Sequence, residues 1–79
     1  MENRISIYRL SPKEIKLYAN FEIAEINKLG LYNIQGVDKV IVQKPYEATI
    51  TLKAKDLFKT TSLIADKLEE YGEVVNYVN

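Results

Sequence analysis

The chain has 79 residues, 47% of them hydrophobic and 28% charged, with neither histidine nor cysteine and a formal net charge of +0 from 11 Lys and Arg against 11 Asp and Glu. This length suits one domain, 1–79, whose core must come from packing alone. The missing imidazoles and thiols exclude Ser-His and Cys-His nucleophile pairs and soft-metal sites, and the lack of a basic excess argues against nucleic-acid binding, which draws on phosphate neutralisation.

In chain order, Arg4 to Leu10 (RISIYRL) alternates, with Ile5 and Ile7 on one side and Arg4, Ser6 and Tyr8 on the other, the pattern of a half-buried strand. Ser11-Pro12-Lys13-Glu14 follows. Serine caps helices, proline fits the first turn, and a glutamate three residues on completes a capping box. This predicts a helix from Pro12 to about Leu29, with Ile15, Ala19, Ile23, Ile26 and Leu29 on one face and Gly30 as its stop. Glu22 interrupts that face, and Leu17 and Phe21 fall off it. A rival reading makes Glu14 to Ala19 a second strand, with Asn20 capping a shorter helix; the long helix is preferred.

Leu31 to Gly36 is a connection. Val37 to Gln43 and Tyr46 to Lys53 are two strands broken at Lys44-Pro45, hence a hairpin. Leu57, Thr61, Ile64, Leu68 and Tyr71 form a helical stripe before Gly72, starting near Asp56 or at Thr60. Glu73 to Val78 is a last strand. The order is β-α-β-β-α-β, a ferredoxin-like α+β fold whose four-stranded antiparallel sheet carries two helices on one face. The halves share a loose strand-helix-strand plan, but no sequence repeat is visible.

Residues 34 to 42 (IQGVDKVIV), then Ala48-Thr49-Ile50, Leu63-Ile64, Leu68 and Tyr71-Gly72-Glu73-Val74 resemble the back two-thirds of a heavy-metal-associated domain, over roughly residues 34 to 75. The resemblance implies a ferredoxin-like fold. That family holds copper or zinc on a paired-cysteine loop after the first strand. Here the loop reads Arg9-Leu10-Ser11-Pro12-Lys13 and has no sulfur, so the resemblance implies the fold without the metal function.

No residue set suggests catalysis. Glu69, Glu70 and Glu73 cluster around a helix end beside Lys67 and read as a solvated face; no calcium-loop pattern accompanies them. Gly30, Gly36 and Gly72 are too far apart to cradle a phosphate. Lys53, Lys55 and Lys59 read as surface charge beside Asp56. Tyr8, Ile41 and Thr49 should lie on the open sheet face, where RNA-recognition modules stack bases, though tyrosine equally suits protein interfaces.

The expectation is a small non-enzymatic interaction or regulatory module with no catalytic residue, cofactor or metal. Its expected partner is a second copy, paired through the edge strand at Val74, Val75 and Tyr77, where no lysine or proline blunts the edge. Alternatives are a small-ligand or metal-sensing domain, or a nucleic-acid binder using the open face. No run approaches the ~20 apolar residues of a membrane span and the start, Met1-Glu2-Asn3-Arg4, has no apolar leader, so a cytoplasmic location is expected.

Overall fold

The computed structural model describes residues 2–27, 30–53 and 57–78. The elements are β1 (Arg4–Ser11), β2 (Glu14–Ala19), α1 (Ala24–Asn27), a 3-10 turn (Leu31–Asn33), β3 (Val37–Lys44), β4 (Glu47–Leu52), α2 (Leu57–Leu68) and β5 (Glu73–Val78). The strands form one five-stranded mixed sheet in the order β3-β4-β2-β1-β5. Neighbours are antiparallel except β1 and β5, which run parallel.

This corrects the expected ferredoxin-like fold. The sheet has five strands rather than four, it is mixed rather than antiparallel, and among the described residues α2 is the one helix of several turns. The difference originates at Ser11–Glu14. These residues do not start a long helix; they close a two-residue β-hairpin turn in which Ser11 pairs with Glu14. Proline at the first central position of a turn pre-sets the required φ. The Ser11 hydroxyl still donates to Glu14 Oε1, at 3.4 Å, so the polar pair that suggested a capping box forms within a turn. Beyond it Ile15 and Leu17 are fully buried while Glu14 and Tyr18 are exposed, the period of two that only a strand produces. Asn20 does not cap a helix. Its Oδ1 accepts from the Arg4 amide at 2.7 Å and its Nδ2 donates to Glu2 O at 2.9 Å, tying the end of β2 to the start of β1.

The second hairpin uses the same device. Lys44 pairs with Glu47 across Pro45-Tyr46, and each hairpin carries an extra residue just before its turn, Leu10 in β1 and Gln43 in β3. The correspondence runs through both units. β1 and β3 begin at Arg4 and Val37, β2 and β4 at Glu14 and Glu47, and α1 and α2 at Ala24 and Leu57, a constant spacing of 33 residues. A strand-strand-helix unit therefore occurs twice, followed by β5. At that spacing Pro12 and Glu14 recur as Pro45 and Glu47; the other matching positions along the strands agree in hydrophobic character at most.

One core lies between the sheet and the helical segments. Ile5, Ile7, Ile15, Leu17, Val40, Ala48, Ile50 and Leu52 come from the sheet; Ile23, Ile26, Leu31, Ile64, Ala65 and Leu68 cover them. α2 starts at Leu57, with Thr60 buried within it; Asp56, the other expected start, and Leu29, the expected end of the long helix, lie outside the described residues, as does Lys55. Gly72 lies where β5 begins, and a Cβ there would sit 2.7 Å from Asn3 O. The close approach lets Asn3 O accept from the Glu73 amide at 2.8 Å and Asn3 Nδ2 donate to Tyr71 O at 3.1 Å.

Candidate functional site

All the described helical segments pack on one face, and among the described residues no helix covers the other face of the sheet. Strand pairing orders the side chains of that uncovered face into rows. The central row runs Tyr8, Lys16, Thr49, Ile41, and a second runs Asn76, Ser6, Tyr18, Glu47, Lys44. Tyr8, Thr49 and Ile41, the residues expected on the open face, thus fall on one line. Ile41 is 49% exposed, whereas Thr49 is buried and donates from Oγ1 to Gln43 Oε1 at 3.0 Å. Lys16 and Tyr18 were missed because the long-helix reading removed β2 from the sheet. The alternation of Glu14, Lys16 and Tyr18 against Ile15, Leu17 and Ala19 was the signal that could have placed them.

Those two residues organise the centre of the face. The Tyr8 and Tyr18 rings meet edge to face with centroids 5.6 Å apart, a favourable aromatic geometry. Lys16 Nζ lies 5.4 Å from the Tyr18 ring centroid and 3.7 Å from Glu47 Oε2. Ser6, Tyr8, Leu10 and Tyr18 line a shallow depression here, with Leu10 exposed.

The two sheet edges differ. On β3, Lys39 and Lys44 are exposed, extra residues at Asp38 and Gln43 break the ladder, and Pro45 follows. The Tyr32 hydroxyl donates to Val40 O at 2.6 Å, occupying a backbone acceptor of that strand. These features blunt an edge. On β5, Val74 packs half-buried against the core, Val75 is the extra residue of a bulge and 45% exposed, and Tyr77 pairs with Ile7 and is 39% exposed. The three residues expected at an interface are therefore on one edge strand, but Val74 turns inward. The Tyr77 hydroxyl has its pKa raised above the ordinary 10.0; burial is the main cause, the Arg9 cation opposes it and the Asp66 carboxylate adds to it.

Arg9, on the helix side of β1, anchors the first hairpin to α2. Its guanidinium donates to Thr61 Oγ1 at 2.6 Å and to Pro12 O at 3.0 Å, and lies 5.9 Å from the Phe58 ring centroid. Among the described residues no group of three or more acidic side chains gathers to hold a metal ion, and no helix is long and apolar enough to cross a membrane. The architecture defines a small α+β protein that, among the described residues, has one uncovered sheet face and one edge strand without lysine or proline. No protein-family model, curated protein or solved structure matches the chain.

Proposed function

We propose that this is a non-enzymatic interaction module that pairs with a second copy of itself through β5. The observation that carries this reading is the contrast between the edges: both carry a bulge, but β3 also has lysines, a proline and the Tyr32 hydroxyl, while β5 has neither lysine nor proline and exposes Val75 and Tyr77. Edge strands offer unpaired backbone groups that a second strand satisfies, and a two-fold axis closes the assembly. With the axis at Val75, Glu73 lies opposite the second copy's Tyr77, so the one charge of the strand avoids its own image. The balanced net charge adds little repulsion between copies.

Sedimentation velocity on the wild type and on Val75→Lys tests the reading. The wild type should sediment as a dimer at high micromolar concentration and Val75→Lys as a folded monomer. A wild type that stays monomeric there removes the edge as a stable interface.

A second reading rests on Tyr8 and Tyr18, adjacent aromatics on the two strands flanked by β4 and β5, with Lys16 beside them. Aromatic platforms with cationic neighbours bind single-stranded nucleic acid, each stacked base contributing about 1–3 kcal/mol. Tyr18→Ala should then weaken single-stranded RNA binding by about that amount. Binding that is undetectable at low salt rejects it.

A further inference from the structure

The seam between β2 and β4 has internal two-fold character. Glu14 faces Thr51 and Tyr18 faces Glu47; Ile15 faces Ile50 and Leu17 faces Ala48; Lys16 faces Thr49 at the centre. At the constant spacing of the two units, Glu14 corresponds to Glu47, Ile15 to Ala48, Lys16 to Thr49, Leu17 to Ile50 and Tyr18 to Thr51. Each pair on one side of the centre is thus the image of a pair on the other. The backbone bonds closing the seam obey the same relation: the Ala19 amide donates to Tyr46 O at 3.0 Å, and its counterpart, the Leu52 amide, donates to Lys13 O at 2.7 Å. The two units meet as two subunits of a dimer would.

The first hairpin is inserted between β4 and β5. Its covalent tie to the rest of the molecule is the connection from residue 20 to 36, which includes a four-residue helix, a 3-10 turn and two glycines at positive φ, Gly30 at 75° and Gly36 at 100°. The hairpin contributes Ile5, Ile7, Ile15 and Leu17, all fully buried. If it leaves, the slot must be refilled by something with the same apolar pattern and register, and a second copy of this chain supplies it.

We infer that the slot between β4 and β5 accepts the β1–β2 hairpin of a second copy, giving a dimer by reciprocal hairpin exchange. Every contact outside the connection is conserved in the exchange, which makes it a low-cost route to a dimer. The two-fold seam also offers a competing arrangement, β2 against β2. That would set Ile15 opposite Leu17, an apolar pairing, but also Lys16 opposite Lys16, and like charges directly opposite are unfavourable. Thr49 at the centre of β4 accepts Lys16 without that conflict, so charge directs the hairpin to the β4 slot of its own or another chain.

The chain has no cysteine, so introduced thiols report cleanly. The terminal bonds of the seam place odd-numbered residues of β2 in hydrogen-bonded pairs. Lys16 and Thr49 then form a non-hydrogen-bonded pair, whose Cα atoms sit about 4.5 Å apart, within disulfide reach. Equimolar Lys16→Cys and Thr49→Cys chains are co-refolded from denaturant at high micromolar concentration and oxidised, with a control mixed after separate refolding at low concentration. Exchange gives a disulfide-linked heterodimer well above the control. The second sample carries both substitutions in one chain, oxidised at low concentration so that an intrachain bond pins the hairpin, and then concentrated. A heterodimer together with a monomeric pinned chain establishes exchange and excludes the β5 edge. No heterodimer above control overturns exchange, and a pinned chain that still dimerises in that case leaves the edge reading standing.

Discussion

Four residues decide local features in ways that mutation can read. Asn20 bonds through both ends of its amide to the backbone of the N-terminal segment. A hydrogen bond contributes about 0.5–1.5 kcal/mol net, so Asn20→Ala should cost about 1–2 kcal/mol in chemical denaturation. Ser11→Ala should cost less, because its one side-chain bond is a 3.4 Å contact at an exposed turn. A larger loss at Ser11 than at Asn20 would restore the helix-cap reading. Gly72 is fixed by space, since a Cβ would press on the Asn3 backbone. Gly72→Ala should destabilise by about 1–3 kcal/mol, the usual penalty of overpacking, and a neutral effect would refute the close approach. Tyr77 titrates above its ordinary range. The folded chain holds its proton more tightly than the unfolded chain, so the stabilisation is complete below about pH 10 and is lost as pH rises through the folded value. Tyr77→Phe should flatten the fall of stability above that pH; an unchanged alkaline limb would remove Tyr77 as its source.

At the scale of elements, β3, β4, α2 and β5 were legible because one period dominates each segment. Ala48, Ile50 and Leu52 alternate with Glu47, Thr49 and Thr51, and Thr61, Ile64 and Leu68 keep helical spacing. β2 was not legible because two periods coexist in it. Ile15, Ala19, Ile23 and Ile26 make a helical stripe, while Ile15, Leu17 and Ala19 make a strand face. Leu17 and Phe21, which lie off the stripe, were the residues at odds with the helix, and both are at least partly buried in the structure. Ser-Pro-x-Glu satisfies a capping box and a hairpin turn alike. The recurrence of Pro-x-Glu at Pro45 and Glu47, inside a segment already recognised as a hairpin, was the clue that separates them. Of the candidate site, Tyr8, Ile41, Thr49 and the β5 residues could be placed from alternation, but Lys16 and Tyr18 depended on the register of β2. The core built from these elements has a direct test. Ile50 and Leu68 are fully buried, and Ile or Leu to Ala in a core costs about 2–5 kcal/mol. Ile50→Ala and Leu68→Ala should each lower the melting temperature by many degrees, and an unchanged value for either would place it outside the core.

At the scale of the molecule, two equivalent hairpin units and a final strand make a sheet whose two edges are unequal. Pairing within the chain consumes β2 and β4 at the seam, and β5 covers the outer side of β1. On the other side of the sheet Tyr32 bonds to the edge strand β3 through a side chain. Among the described residues the outer side of β5 and the tyrosine face are left uncovered, and the proposed pairing would use the first of them. Edge pairing and hairpin exchange both produce dimers, but they place different atoms across the contact. Isotope-filtered NMR on an equal mixture of labelled and unlabelled chains separates them most directly. Edge pairing predicts interchain proton contacts between Val75 and Asn76 of one copy and the same strand of the other, with none between β2 and β4. A dimer whose interchain contacts run between β2 and β4 and between β1 and β5, with none from β5 to β5, would contradict it.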